Sequence, residues 1–541
     1  MKKLKILSVA LAIAMSTSAL AGCGSGDKKA QSDPKAQETK SEQKVEKKKD
    51  PVTLTVEVFD RANAPKDGGT CDNNFMTKWI NDKFGAPRNV TVKYVPVPRA
   101  QEVEKLNVLL ASGNAPDICF TYQRDLFLTY SKQGGLTDVT ELYNKTKYLK
   151  DFLGNVNDSC KYEGKYLAVA AKRSMTGANT TFIRKDWLEK LNMPVPTNVD
   201  EFYQTLKAFK EKNPGKVDTV VPFGLSQATP GDYINQFGAI QLIWSFVKGA
   251  SDEDLKTLPH LMLPGWKDGV RFVNKLYNEG LIDKEFALDQ NQTKLKAQFT
   301  TGKLGVLTDG YDFIYSKNKG ELIDALIKNV PDAKVEAVEI FKNSEGKYPK
   351  YVNGANGLYL LIPKTSKNAA VAIEYLDWMC DPEVGKVLNW GIENEHYKIE
   401  NGIPVTINPD KVKKELWNFG DLALMYNGPF APEKEQFYKI LAAQTANYRN
   451  WGEEVVKSLK MSEKDGFIDF AVSPPFERAI AASTKYQGNL TKMYIDGMAK
   501  CIMAKPADFD KTYDALLAEY LKNGGQEVID EKKAAYKEMK K

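Results

Sequence analysis

Short β-rich runs alternate with helical periods where the folded part of this chain begins. Residues 52–59 and 90–95 alternate apolar and polar side chains as half-buried strands do, and 117–120 is a short apolar run. The apolar spacing predicts helices between them, at 73–84 and 100–112. Strands separated by helices of this length favour a mostly parallel sheet that binds ligands at the carboxyl ends of its strands. The sequence therefore predicts an α/β fold with its site on the strand-end loops.

Length, charge and histidine content exclude several classes of protein. A chain of 541 residues is long enough for two large domains or a few smaller ones. The formal net charge is +6, and three of these charges are lysines in the first five residues, so the rest is too balanced for a nucleic-acid binder. The chain has two histidines, His260 and His396, which leaves little material for a histidine-rich metal site or a histidine-dependent triad.

The N-terminus carries a targeting signal. Three lysines in residues 1–5 precede an apolar stretch at 6–20, and Leu20-Ala21-Gly22-Cys23 follows directly. This arrangement resembles a bacterial lipoprotein signal peptide of residues 1–22, whose cleavage leaves Cys23 to carry a thioether-linked lipid and an acyl chain such as palmitate. The alternative is an ordinary secretory signal with an incidental cysteine.

The segment after Cys23 is too polar to fold. Residues 23–50 consist largely of Lys, Glu, Gln and Ser, which predicts a disordered tether. Acyl chains hold a protein to a membrane without spanning it, so we expect the folded part to sit on the outer, extracytoplasmic face of the cell membrane. Five further cysteines remain, an odd number without CxxC spacing, and we expect them to be buried thiols.

Several phrases follow one another in an order that resembles a known family. They are 111–117 (ASGNAPD), 134–139 (GGLTDV), 182–188 (FIRKDWL), 276–282 (LYNEGLI), 302–305 (GKLG), 362–368 (IPKTSKN) and 390–393 (WGIE). Together they are similar to family 1 of the extracellular solute-binding proteins, the carbohydrate-binding lipoproteins of ABC importers, and to the long branch of that family. The resemblance covers nearly all of residues 51–541.

The resemblance implies a two-lobed fold of the type II periplasmic-binding-protein kind, in which a cleft closes on its ligand about a hinge. By analogy the first lobe comprises residues 51–170 and 350–470. The second lobe comprises 171–349 and 471–541. We expect the chain to be a monomer.

The hinge is expected where the chain crosses between the lobes. Residues 168–171 and 351–354 are candidates for these crossings. Near them, Lys172, Arg173 and Asn179 either reach the ligand, where adjacent positive charges would suit an acidic sugar, or form a solvated basic turn.

The resemblance also implies where the ligand binds. Aromatic rings stack on the C–H face of a sugar, and Asp, Asn, Gln or Arg bond its hydroxyl rim. The family positions matched in this sequence are Asp60, Arg61, Tyr122, Arg124, Asp125, Gln227, Asp232, Tyr233, Asp309, Tyr311 and Trp390.

Structural roles remain open for several of these residues. Asp60 and Arg61 could instead form a hinge salt bridge. Arg124 and Asp125 could pair on a solvated helix start. Tyr397 is a further candidate near Trp390, and both could instead be core residues.

No metal, cofactor or catalytic residue is expected. Long relatives carry a calcium-binding loop where this chain has 213–218 (NPGKVD), and its single carboxylate is too few for a site of six to eight oxygens.

The expected function is capture of an oligosaccharide by a lipid-anchored receptor that delivers it to the permease subunits of an ABC importer. Nucleic acid is not an expected partner. Two alternatives stay open: a surface glycoside hydrolase that uses two carboxylates, and a binder of peptides or other metabolites on the same fold.

Overall fold

Two mixed β-sheets organise the part of the chain that the structure describes. The computed structural model describes residues 50–227, 238–289, 291–317, 320–431, 433–443, 448, 450–469 and 475–540. The strands are β1 (Val52–Asp60), β2 (Val90–Pro98), β3 (Cys119–Thr121), β4 (Lys161–Tyr162), β5 (Lys165–Tyr166), β6 (Ala168–Arg173), β7 (Asn179–Arg184), β8 (Val221–Gly224), β9 (Leu304–Gly310), β10 (Val335–Val338), β11 (Lys350–Tyr351), β12 (Asn356–Leu361), β13 (Tyr397–Glu400), β14 (Ile403–Thr406), β15 (Tyr426–Asn427) and β16 (Gly466–Phe467).

Helices of different lengths flank both sheets. They span Phe75–Ile80, Ala86–Arg88, Glu102–Ala111, Arg124–Lys132, Thr140–Asn144, Leu149–Leu153, Lys185–Leu191, Val199–Lys212, Ile240–Trp244, Asp252–Thr257, Trp266–Asn278, Thr293–Thr300, Leu322–Asn329, Ala369–Met379, Pro382–Trp390, Pro409–Glu415, Phe419–Leu422, Lys434–Ala442, Gly452–Glu463, Ala481–Met503, Phe509–Tyr520 and Gln526–Met539. The α/β class predicted from the sequence is confirmed. Among the described residues, no helix combines the length and apolarity needed to cross a membrane.

The first three strands follow the predicted parallel order. β1 and β2 pair in parallel from Val52 opposite Val90, and a parallel bridge joins Val56 of β1 to Ile118 just before β3. The first predicted helix begins with a capping box, in which Asn74 and Thr77 each bond the other's backbone. This opening therefore has the βαβαβ arrangement that its hydrophobic pattern predicts.

The prediction of a mostly parallel sheet is wrong beyond this opening. In the order β15-β6-β12-β3, strand β12 runs antiparallel to both of its neighbours. In the second sheet, ordered β10-β7-β9-β8, β7 is antiparallel to β10 and to β9, and β8 and β9 are parallel. Neither β7 nor β12 enters its sheet through a crossover helix: β7 follows β6 of the first sheet, and β12 follows β11, which pairs with β16 in a separate two-stranded sheet.

Separate apolar cores surround the two sheets. One core contains β1, β3, β6 and β12 with the helix Ala369–Met379. The second sheet is covered on one side by a core that includes Trp187, Phe202 and Trp266. On its other side, Phe182 of β7 and Leu307 of β9 pack in a core with Phe437, Leu441, Val455 and Leu459. The described cysteines, at positions 71, 119, 160, 380 and 501, are free and buried, as expected.

The chain crosses between the sheets through paired segments. The predicted crossing at 168–171 is part of β6, and the chain crosses three residues later, at 174–178 between β6 and β7. Gly177 bridges Val352, and the backbone N–H of Asn353 donates to the carbonyl of Thr176 at 2.7 Å. A Cβ at Gly177 would lie 1.9 Å from Ser462 Oγ, so the crossing needs glycine to pack on the helix Gly452–Glu463.

For the lobe division, which stays a prediction, the packing suggests one adjustment. The helices Lys434–Ala442 and Gly452–Glu463 belong to the core of the second sheet rather than to that of the first. A first lobe that ends before residue 434 would fit these contacts better than one that ends at 470.

Candidate functional site

A large open cavity lies against the first sheet, beside strand β15. Its volume is about 1010 Å³. The hairpin β13–β14, the helix Pro409–Glu415 and the loop after β15 line it, and Lys317, Ile440 and Ala443 contribute from segments associated with the second sheet. Side chains from both parts of the molecule therefore face one space.

Aromatic rings form one wall of this cavity. Trp390 packs against Phe430, with ring centroids 5.4 Å apart, and meets Tyr397 edge-on at 5.7 Å. Tyr426 meets Phe430 edge-on at 5.1 Å. Asn389, Thr406 and Asn427 supply polar atoms on the same lining. Apolar rings beside hydroxyl and amide groups match the two faces of a sugar.

A helix end sets the position of Trp390. The helix Pro382–Trp390 starts at Asp381, whose side chain accepts from the backbone N–H of Glu383, and it ends at Gly391. Gly391 has φ +82°, and a Cβ there would lie 2.7 Å from the ring of His396. This tight ending turns the chain into the hairpin β13–β14 and keeps Trp390 at the cavity.

A small crevice of about 30 Å³ adjoins the large cavity. Both are lined by Gly420, Tyr426 and Asn427, and the crevice adds Phe59 and Tyr122. Tyr122 stacks on Phe59 with centroids 6.3 Å apart. Of the residues predicted from the sequence, the structure therefore brings Trp390 to the large cavity and Tyr122 to its neighbour.

The Arg61 guanidinium is held by an acid far along the chain. It makes a bidentate ion pair with Asp421, with its Nε 2.8 Å from the nearer oxygen. Hydrogen bonding to Asp421 raises the pKa of Arg61. Asp60 is exposed and accepts from the backbone N–H of Ala62 at 2.9 Å. Arg61 thus forms a salt bridge, which is the alternative role that the sequence left open. Its partner Asp421 lines the small crevice.

Arg124 and Asp125 face the C-terminal region. Arg124 donates to the backbone carbonyl of Phe476. Burial raises the pKa of Asp125, and the nearby charges of Arg124 and Lys532 oppose that rise. These residues hold the loop after β3 against the C-terminal region rather than lining the large cavity.

The predicted residues of the second sheet make internal contacts. Asp309 accepts from Gln292 Nε2 at 2.6 Å, and the backbone N–H of Gln227 donates to the carbonyl of Asp289 at 3.1 Å. The Tyr311 hydroxyl lies 2.9 Å from the sulfur of Met175 at the crossing, and burial raises its pKa. Asp232, Tyr233 and Cys23 lie outside the described residues.

Three aromatic residues of the cavity were not predicted from the sequence. Phe419, Tyr426 and Phe430 line it together with Trp390. The segment 426–430 reads YNGPF, in which Asn-Gly-Pro marks a turn between two aromatic residues. That turn is a local signal, but its position against Trp390 depends on the fold.

The loop at residues 213–218, where no calcium site is expected, closes on itself. Asn213 donates from Nδ2 to the carbonyl of Val217 at 2.7 Å and accepts from the backbone N–H of the same residue at 3.0 Å. Asp218, its carboxylate, forms an ion pair with Lys303 at 2.8 Å. Within the described ranges, His, Cys, Asp and Glu side chains form no cluster suited to a metal ion.

The sequence of this chain matches a known protein family. The model of the bacterial extracellular solute-binding protein family matches residues 73–386, more than half of the chain. The chain belongs to this family. Two relatives from Bacillus subtilis (strain 168) are 24% identical to this solute-binding protein. Lipoprotein LipO aligns over 83% of this chain and 87% of its own length. The polygalacturonan/rhamnogalacturonan-binding protein YtcQ aligns over 82% and 85%.

A solved structure shows the same fold. The HMO-binding, ABC-transporter-associated solute-binding protein of Bifidobacterium longum infantis ATCC 15697 superposes with a TM-score of 0.64 at 19% identity. The match covers 90% of this chain and 98% of that one. This solute-binding protein therefore has the two-lobed type II fold that its sequence predicts, and its family is extracellular.

Proposed function

We propose that this solute-binding protein captures an oligosaccharide in the large cavity and delivers it to the permease subunits of an ABC importer. The observation that carries the proposal is the aromatic wall of Trp390, Tyr397, Tyr426 and Phe430 in a cavity of about 1010 Å³. This volume is at the upper end of small-molecule sites, so it has room for several sugar rings.

Relatives support the carbohydrate class. YtcQ is named for binding polygalacturonan and rhamnogalacturonan, and FusA of Streptococcus pneumoniae serotype 4 is named as a fructooligosaccharide ABC transporter substrate-binding protein. FusA is 24% identical over 53% of this chain. These names differ in the sugar, so they favour the class and leave the individual ligand open.

Closure of the cavity supplies the link between binding and transport. Lys317 and Ile440 face the aromatic wall from segments associated with the second sheet, so a ligand between them touches both lobes only when the lobes approach. A ligand that binds the closed form more tightly shifts the population toward it. The permease then distinguishes the loaded receptor by its shape.

The anchor is part of the proposal. Cys23 would carry the lipid and hold the protein on the outer face of the cytoplasmic membrane, with residues 23–50 as the tether. Metabolic labelling with a palmitate analogue tests this: the native chain takes up label, and Cys23→Ala releases unlabelled protein. Equal labelling of both proteins would contradict it.

One experiment tests the central function and the absence of catalysis together. We expect an oligosaccharide panel to contain ligands that raise the melting temperature, since a ligand at 100 times its Kd adds about 2.7 kcal/mol to the stability of the folded state. Chromatography after incubation should return each ligand intact. Shortened products would favour a glycoside hydrolase, and a response to peptides alone would remove the carbohydrate assignment.

A further inference from the structure

Arg173 occupies the point where the chain leaves the first sheet. It is the last residue of β6, and its backbone N–H donates to the carbonyl of Ala355 at 2.8 Å. In the parallel pairing of β6 with β15, its backbone lies opposite Asn427. Arg173 lines a second cavity of about 620 Å³. This second cavity shares Tyr426 and Phe430 with the large cavity, so the two spaces meet at the aromatic wall.

The Arg173 guanidinium has no carboxylate partner among the described residues. Its Nε is shielded from solvent and makes no hydrogen bond. Burial lowers the pKa of Arg173. The groups that interact electrostatically with its guanidinium are the hydroxyls of Tyr351 and Tyr122. Two other arginines beside Tyr122 differ, since Arg61 pairs with Asp421 and Arg99 pairs with Glu102.

Arg173 is half-buried, and a cation that is partly withdrawn from water without a partner is costly for a folded protein. Arginine stays protonated, so it cannot escape the cost by losing its charge. Burying an unpaired charge costs free energy that a partner restores. The cost at Arg173 is therefore removed when an anion enters the second cavity.

Other charged groups of the second cavity are already engaged or exposed. Lys172 donates to the carbonyl of Phe152 at 2.9 Å, and Lys434 pairs with Glu463 at 2.8 Å. Asp151 and Glu433 are exposed side chains at the rim. Arg173 is accordingly the cation that is both sheltered and unpaired in this lining.

We propose that Arg173 binds the carboxylate of a uronic acid unit, and that the ligand is an acidic oligosaccharide. The planar fork of arginine donors matches the two oxygens of a carboxylate, while the shared aromatic wall holds the sugar rings. This inference rests on the proposed function, because it names the class of oligosaccharide that the same site takes.

The test compares two forms of one sugar. Oligogalacturonates of four units and their fully methyl-esterified forms have the same length, and only the former are charged. Calorimetry uses the protein purified in detergent with its natural N-terminus. Oligomers of glucuronate and mannuronate, a sulfated neutral oligosaccharide and neutral oligosaccharides complete the panel.

We expect the native protein to bind at least one uronate oligomer, and Arg173→Gln to weaken that binding about 10- to 100-fold, as for loss of a charged hydrogen bond. Binding of the corresponding methyl ester should hardly change. The control Arg271→Gln removes an exposed arginine that pairs with Asp510 on the outside of the second lobe, and it should leave both affinities unchanged.

The melting temperature without ligand separates this role from a structural one. Removal of an unpaired cation should leave the melting temperature of Arg173→Gln equal to or above that of the native protein. A lower melting temperature with equal loss of both sugar forms would overturn the inference. Exclusive binding of the sulfated probe would also overturn it.

The remaining outcomes distinguish the two proposals. If neutral oligosaccharides bind as well as uronates do, or bind alone, the acidic assignment fails and the proposed function stands. If no oligosaccharide of either kind binds, both proposals fail.

Discussion

His396 and Glu415 join the hairpin of the cavity to the helix that faces it. His396 Nε2 lies 2.9 Å from Glu415 Oε2, while its Nδ1 accepts from the backbone N–H of Ile392 at 3.0 Å. Because Nδ1 accepts, Nε2 carries the proton that Glu415 receives as a hydrogen bond. The ring is fully buried, so both nitrogens must find their partners inside the protein. This pair holds the base of the hairpin next to Trp390.

Replacement of His396 should therefore lower the stability of the folded protein. We expect His396→Phe to lower the free energy of unfolding by about 2 to 4 kcal/mol, because the Ile392 N–H loses its buried acceptor and the larger ring strains the site. Glu415→Gln keeps an acceptor oxygen and should cost less than about 1.5 kcal/mol. Urea unfolding measures both values, and equal losses would contradict this role.

Trp390 should contribute directly to ligand binding. For Trp390→Ala we expect a loss of about 1 to 3 kcal/mol in binding, from lost stacking and lost apolar burial. Calorimetry with a sugar identified in the panel measures it. The control Tyr203→Ala removes an aromatic ring that packs against the core beside the second sheet, where the Tyr203 hydroxyl contacts Glu279, and it should bind normally. If Trp390→Ala bound the sugar with unchanged affinity, the aromatic wall would not be part of the binding site.

Glu57 should make stability depend on pH. It lies in β1, 1% exposed, and burial raises its pKa to about 8 from a usual value of 4.5. Between these values the unfolded state releases a proton that the folded state keeps, so stability falls as pH rises, by about 1.4 kcal/mol for each pH unit. Below pH 4.5 both states are protonated, and above pH 8 the fall is complete.

Glu57→Gln should remove this part of the pH dependence. The amide oxygen can still accept from the backbone N–H of Phe120, which lies 3.1 Å from a Glu57 oxygen. We expect the variant to exceed the native protein in stability at pH 8 and to approach it at pH 5, in urea unfolding. Glu141→Gln, at a glutamate whose side chain is 85% exposed, is the control. If the free energy of unfolding changed with pH in the same way for the native protein and for Glu57→Gln, the prediction would be refuted.

The buried pair Arg184–Asp186 should be sensitive to loss of one partner. Two hydrogen bonds of 2.8 Å join the side chains, which are 2% and 4% exposed. Asp186→Ala leaves a buried cation, so we expect a loss of about 3 to 5 kcal/mol in stability. The double variant Arg184→Met, Asp186→Leu removes both charges and should recover most of the stability that Asp186→Ala loses. Equal losses in the single and double variants would show that packing alone is responsible.

Local patterns predicted the first elements well. Period-two alternation predicted β1 and β2, and apolar spacing predicted the helix that the structure places at Glu102–Ala111. The predicted direction of the later strands was wrong, because β12 runs antiparallel to both of its neighbours and its own residues do not indicate the direction in which it enters the sheet. Strand direction depends on connections between distant segments.

The sequence by itself determined the α/β class and, through the order of its short phrases, the family. The tertiary structure decided the site, because its contacts join residues far apart: Asp421 meets Arg61 360 positions away, and Phe430 meets Trp390 across a hairpin and two helices. Among the described residues it also pairs Arg61 and Arg99 with carboxylates and gives Arg173 none. The sequence gives the type of each residue, but the burial and the partners of a side chain are properties of the folded chain. Distant charges and rings come together only when the cores form.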